Sequence, residues 1–103
     1  MIHVTAEELA TIQAILAEHG AGFEVRVFGS RITDRRKPYS DLDLAIVGDG
    51  ALPGGRIDAL REAFQESDLT FRVDVLDYWA VSDEFREVID GRFERLPFKG
   101  QRI

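Results

Sequence analysis

Asp41 and Asp43 stand one residue apart in Ser40-Asp41-Leu42-Asp43-Leu44, in an otherwise apolar setting. In extended backbone, period two puts Asp41, Asp43, Ala45 and Val47 on one face and Leu42, Leu44 and Ile46 on the other. Two ionised carboxylates on one face at about 4 Å repel by roughly 1 kcal/mol in water and about 4 at an effective dielectric of 20. Such a pair calls for a cation. A strand is a rigid mount for it, able to present oxygens to two divalent ions roughly 3.5–4 Å apart. Asp74, inside the β-rich segment TFRVDVL over residues 70–76, supplies a third ligand if its strand lies beside the first. Asp77 competes for that position, but period two groups Asp74 with Arg72 and Leu76 and leaves Asp77 at the strand's end, which favours Asp74. The plainer alternative is that Asp41, following Ser40, ends a loop through local hydrogen bonds. An EF-hand is excluded, since Ala45 stands where a third oxygen ligand belongs and no Gly occupies the sixth position.

Gly29-Ser30 gives the carboxylates a context. A glycine at a strand's end lets backbone amides approach a phosphate, and the neighbouring serine adds a hydroxyl. Mg²⁺ binds through one or two carboxylates together with substrate phosphates, so a phosphate cradle and a carboxylate pair complete each other. No Gly-x4-Gly-Lys-Ser/Thr occurs, and no Gly-x-Gly-x-x-Gly follows a strand, which excludes a Walker loop and a dinucleotide fingerprint. Arg31, Arg35, Arg36 and Lys37 place four of the thirteen basic residues within seven positions. They read either as contacts to phosphates or an acidic partner, or as a solvated loop. His3 and His19 have no metal-ligand spacing, and Tyr78 and Trp79 read as core or interface anchors.

The elements that must hold these groups follow from periodicity. Thr5-Ala6-Glu7-Glu8 is a capping box opening a helix whose buried face is Leu9, Ile12, Ile15 and Leu16, with Gly20 and Gly22 as its stop. Residues 23–28 alternate as a strand that Gly29-Ser30 breaks; residues 31–40 form a loop containing Pro38, for which an opening helical turn is one option, and residues 41–47 form the next strand. Ile57, Leu60, Ala63 and Phe64 mark a second helix running to about Ser67, residues 70–76 form a strand, and Ser82 caps a third helix ended by Gly91. Residues 92–98 add an edge strand. The fold class is α/β (α+β), a small mixed sheet with helices packed on it, in one domain spanning residues 1–103.

The bulk composition narrows the partners. With 45% hydrophobic and 31% charged residues the chain is an ordinary globular protein, and its net charge of -6 argues against stable nucleic-acid binding through phosphates. The absence of cysteine fits a reducing compartment. The start at Met1-Ile2-His3 has no signal-peptide pattern and no apolar run approaches membrane length, so the expected location is cytoplasmic, with no membrane role. A chain of 103 residues has no second domain to grip a large acceptor, so another molecule is expected to contribute to the site.

Gly29-Ser30, ten residues, then Asp41-Leu42-Asp43 resembles the GS-x10-D-x-D signature of the minimal nucleotidyltransferases, a branch of the DNA polymerase β-like superfamily. The fuller form is matched by Gly29-Ser30-Arg31 and Ser40-Asp41-Leu42-Asp43-Leu44, with Asp74 where the family's third acidic residue lies; the resemblance spans roughly residues 5–90. Ile32 and Asp34 depart from the family's small residue and glycine. The resemblance implies a polymerase β palm-like fold, two Mg²⁺ ions on Asp41, Asp43 and Asp74, and ATP as substrate. Gly29, Ser30 and Arg31 would bind nucleotide, and Asp74 would serve the metal beside the attacking hydroxyl. It further implies nucleotidyl transfer, most simply of AMP, to a hydroxyl of a partner protein. Single-domain members resemble antitoxins paired with HEPN-domain ribonucleases, so a HEPN-domain partner is the expected acceptor. Neutralisation of a toxin by contact alone, motivated by Asp34, is the alternative, and transfer to RNA ranks third. A homo-oligomer is compatible with the sequence.

Overall fold

In the computed structural model, which describes residues 2–33 and 40–102, the capping box closes as its residue types require. The Thr5 hydroxyl accepts from the Glu8 amide at 3.0 Å and the Glu8 carboxylate accepts from the Thr5 amide at 2.8 Å. Helix α1 then runs Ala6–His19, buries Ile12 and Leu16 completely, and ends where the Gly20 amide donates to the Leu16 carbonyl. Strand β1 is Glu24–Phe28, followed by a 3-10 turn over Ser30–Ile32, and β2 is Leu42–Val47. Helix α2 is Arg56–Gln65, β3 is Val73–Asp77, α3 is Asp83–Gly91 with Ser82 as its hydroxyl cap, and β4 is Glu94–Arg95.

Among the described residues the strands form one sheet in the order β3-β2-β1-β4. β1 runs antiparallel to β2 and β4, whereas β2 and β3 are parallel, with α2 as the crossover between them. The sheet is therefore mixed, as expected. Alternation sorts its faces. Val25, Val27, Leu42, Leu44, Ile46 and Val75 point into the larger core, with Ile12 and Leu16 of α1 and Leu60 and Phe64 of α2. Each fully buried Leu or Ile there contributes roughly 1.5–3 kcal/mol relative to exposure. The opposite face carries a smaller core in which Phe28 and Ala45 meet Tyr78 and Ile89 of α3. The carboxylates lie on this second face.

The limits of the elements differ from their sequence expectations in instructive ways. β3 begins at Val73 rather than residue 70, because Phe71 turns into the large core and the Arg72 carbonyl takes the first ladder bond, from the Leu42 amide at 2.9 Å. The expected strand over residues 92–98 shrinks to Glu94–Arg95. Past Arg95 the Leu96 amide still donates to the Val25 carbonyl at 2.9 Å, and Leu96 and Phe98 fill the main core on either side of Pro97, which has no amide to donate. Tyr78 is buried, whereas Trp79 is 45% exposed, held by its indole N–H donating to the Gly48 carbonyl at 2.8 Å and by edge contact with the Tyr78 ring.

Candidate active site

The turn after β1 has a shape that only glycine adopts easily. Gly29 sits at φ +83°, in the region that L side chains rarely enter, and a Cβ built on it would collide with Oδ2 of Asp43. Gly29 is thus required twice, by its own backbone and by the carboxylate lying against it. Ser30 opens the 3-10 turn, and its carbonyl accepts from both the amide and the hydroxyl of Thr33, at 3.1 and 3.0 Å.

Register brings the acidic residues together. Phe28 pairs with Asp43 across the antiparallel ladder, and Asp43 pairs with Asp74 across the parallel one, so the two carboxylates are lateral neighbours on one face. Asp41 precedes Asp43 by two residues and lies on the same side of the chain. The Asp43 pKa is pushed up from 3.8 to about 6, first by burial and then by the negative charges of Asp74 and Asp41. Asp43 is thus the carboxylate on which the like charges of its two acidic neighbours bear. The Asp74 carboxylate, 40% exposed, accepts an ion-pair bond from Nε of Arg72 at 2.9 Å. In this arrangement no three acidic or histidine side chains among the described residues enclose an ion on their own.

The donor set nonetheless fits Mg²⁺. It consists of hard carboxylate oxygens, and this ion keeps several waters and phosphate oxygens in its shell, so one or two protein carboxylates suffice. The clearance left by Gly29 is the space that the Asp43 oxygen uses.

Arg31, and Asp77 as the rival to Asp74, are held by other parts of the fold. Arg31 is turned into the protein: it is 5% exposed, its Nε donates to the Ser40 carbonyl at 2.9 Å and its Nη1 to the His3 carbonyl at 3.0 Å. Its guanidinium lies 4.0 Å from the centre of the Phe71 ring. Arg31 is a brace that ties the start of β2 to the N-terminal segment and the core. Asp77, the rival to Asp74, caps the turn after β3, accepting from the Trp79 amide at 3.0 Å and the Leu52 amide at 2.9 Å. Asp34, Arg35, Arg36 and Lys37 lie outside the described residues.

Two arginines near the site were not singled out by sequence reasoning. Arg72 could have been, since period two already places it beside Asp74. Arg92 could not. It follows α3, sixty residues beyond the turn, and lines a cavity of about 470 Å³ together with Gly29, Ser30, Thr33 and Val88.

A family model described as a nucleotidyltransferase domain matches residues 9–99. The chain belongs to that family. This nucleotidyltransferase is 46% identical over 88 residues to a Haemophilus influenzae protein named "Probable protein adenylyltransferase MntA", a match covering 85% of this chain and 77% of that protein. Its fold is similar to a crystal structure of a toxin–antitoxin with AMP-PNP, at a TM-score of 0.71 and 20% identity. It is also similar to a mutant form of the toxin–antitoxin MntA–HpeT, at 0.68 and 18%. Both matches cover 88% of this chain and 73% of the other.

Proposed function

We propose that this nucleotidyltransferase is Mg²⁺-dependent and moves AMP from ATP to a hydroxyl of a partner protein, acting in the cytoplasm as the antitoxin of a HEPN-domain toxin. The observation that carries the reading is the lateral pairing of Asp43 with Asp74 beside the Gly29 turn. The name of the Haemophilus relative supports a protein as acceptor, and the toxin–antitoxin context of the structural neighbours, one of them with AMP-PNP, supports the pairing and an ATP-like donor.

Asp41, Asp43 and Asp74 would hold two Mg²⁺ ions, which when bound supply the positive charge that makes the acceptor hydroxyl more acidic and neutralises departing pyrophosphate. Gly29 and Ser30 hold the β- and γ-phosphates through backbone amides and the Ser30 hydroxyl. Asp74, on the edge strand β3, would take the hydroxyl proton. The acceptor oxygen forms a bond to the α-phosphorus, the bond from that phosphorus to the β-phosphate bridge breaks, and pyrophosphate leaves with the electron pair. Positioning supplies most of the rate, because the protein contributes no covalent intermediate.

Label from [α-³²P]ATP should appear on the co-expressed partner and disappear with Asp43→Asn. Undiminished label in that variant would refute the reading. Contact neutralisation is a second reading, favoured by the Arg72–Asp74 ion pair and the lack of a preformed ion cage among the described residues. It requires that the Asp41→Asn/Asp43→Asn double variant still protect cells from the toxin.

A further inference from the structure

The carboxylates alone cannot hold a triphosphate, which brings roughly four negative charges to a protein whose own net charge is -6. The arginine adjoining the Gly-Ser turn in sequence, Arg31, is buried and engaged with two backbone carbonyls and a ring. A cationic side chain does reach the turn from elsewhere. The cavity against Gly29 and Ser30 is walled by Phe28, Ile32 and Val88, and among its described lining residues the cation is Arg92. Val88 and Arg92 are four residues apart, and Val88 is 63% exposed, so this end of α3 forms one side of an open cleft.

The hold on Arg92 is slight. Its Nη2 donates to the Ile32 carbonyl at 3.4 Å, beyond the usual range for such a bond, while its backbone amide closes α3 on the Ile89 carbonyl. Among the described residues no other hydrogen bond holds the guanidinium, which keeps most of its donors for a ligand. The apolar side chains of Phe28, Ile32 and Val88 displace part of the water around the guanidinium, which strengthens a charge-assisted bond made there.

We infer that Arg92 is a specificity-determining contact to the β- and γ-phosphates, closing from α3 the cradle that Gly29 and Ser30 open from β1. This rests on the reading of that turn as the triphosphate site. The planar fork of arginine matches phosphate oxygens, and the charge it meets grows as pyrophosphate separates. Arg92 thus distinguishes a triphosphate from a monophosphate, and places α3 in the donor site as well as in the small core.

Isothermal titration of Mg²⁺–ATP and Mg²⁺–AMP into wild type, Arg92→Gln and Arg92→Lys tests this. The glutamine variant should bind ATP roughly ten- to a hundredfold more weakly, with AMP affinity within about twofold of wild type. The lysine variant, which keeps the charge and loses the fork, should fall in between. ATP affinity equal to wild type in both variants would overturn the inference, as would ATP and AMP affinities falling together, which would mark Arg92 as merely shaping the turn. If the glutamine variant does not fold, the lysine variant decides by the same comparison. A wild-type protein that binds no ATP would instead bring down the proposed function, and this contact with it.

Discussion

Replacing Asp43 by Asn should make the protein more stable while removing its activity. The Asp43 pKa rises from 3.8 to about 6 in the folded protein, through burial and then the charges of Asp74 and Asp41. At about 1.4 kcal/mol per pH unit this caps the cost of ionised Asp43 at about 3 kcal/mol. The side chain is only half-buried, and solvent screening reduces the figure to about 1–1.5 kcal/mol. The sign follows from linkage. The folded state binds the Asp43 proton more tightly than the unfolded chain, so this stability is fully present below pH 3.8 and lost as pH rises through about 6. Asn carries no such loss. In metal-free buffer at pH 7.5, Asp43→Asn should raise Tm by roughly 4–8 °C, a gain that shrinks as pH falls from 6 toward 4. Saturating Mg²⁺–ATP should then stabilise wild type by about 2.7 kcal/mol at one hundred times its Kd and leave the variant nearly unmoved. Calorimetry at both pH values settles it: a variant that is neutral or less stable at pH 7.5, or stabilised equally at both, would falsify the carboxylate-cluster argument.

Gly29→Ala should cost at least about 1 kcal/mol in urea denaturation, from its positive φ, and should abolish the ATP-induced Tm shift by displacing the Asp43 carboxylate. An alanine variant as stable as wild type would contradict the close approach. Arg31→Met should lose about 3 kcal/mol by removing two charge-assisted hydrogen bonds; full stability with lost ATP binding would return Arg31 to the nucleotide site. Asp74→Asn should shift stability by no more than about 0.5 kcal/mol, since its ion pair with Arg72 is largely exposed. Its transfer rate should nevertheless fall by at least about a hundredfold, measured by label transfer at saturating ATP, and an active variant would remove Asp74 from the chemistry.

Much of this architecture was legible because it is local. The Thr5/Glu8 capping box, the Ser82 cap and the alternation of β1 and β2 are written in residues a few positions apart, and each element formed where its pattern placed it. The placement of Asp74 was local too, since period two alone separates a face-pointing residue from Asp77 at the strand's end, and register sets Asp74 beside Asp43. Non-local matters were not legible. Arg31 stands beside Gly29-Ser30 in sequence, but nothing local reveals that Phe71 and His3, distant along the chain, draw its guanidinium inward. Arg92 shows the converse, a residue with no motif around it that folding carries to the turn. The late start of β3 has the same origin, for Phe71 has strand propensity but its side chain is claimed by the large core.

The parallel pairing of β2 with β3 makes the carboxylate set depend on a crossover. Asp41 and Asp43 lie on one continuous segment, whereas Asp74 is brought to Asp43 by α2, which returns the chain to the sheet's edge. A substitution that loosens α2 or shifts the register of β3 should therefore pull the acids apart while leaving each of them chemically intact.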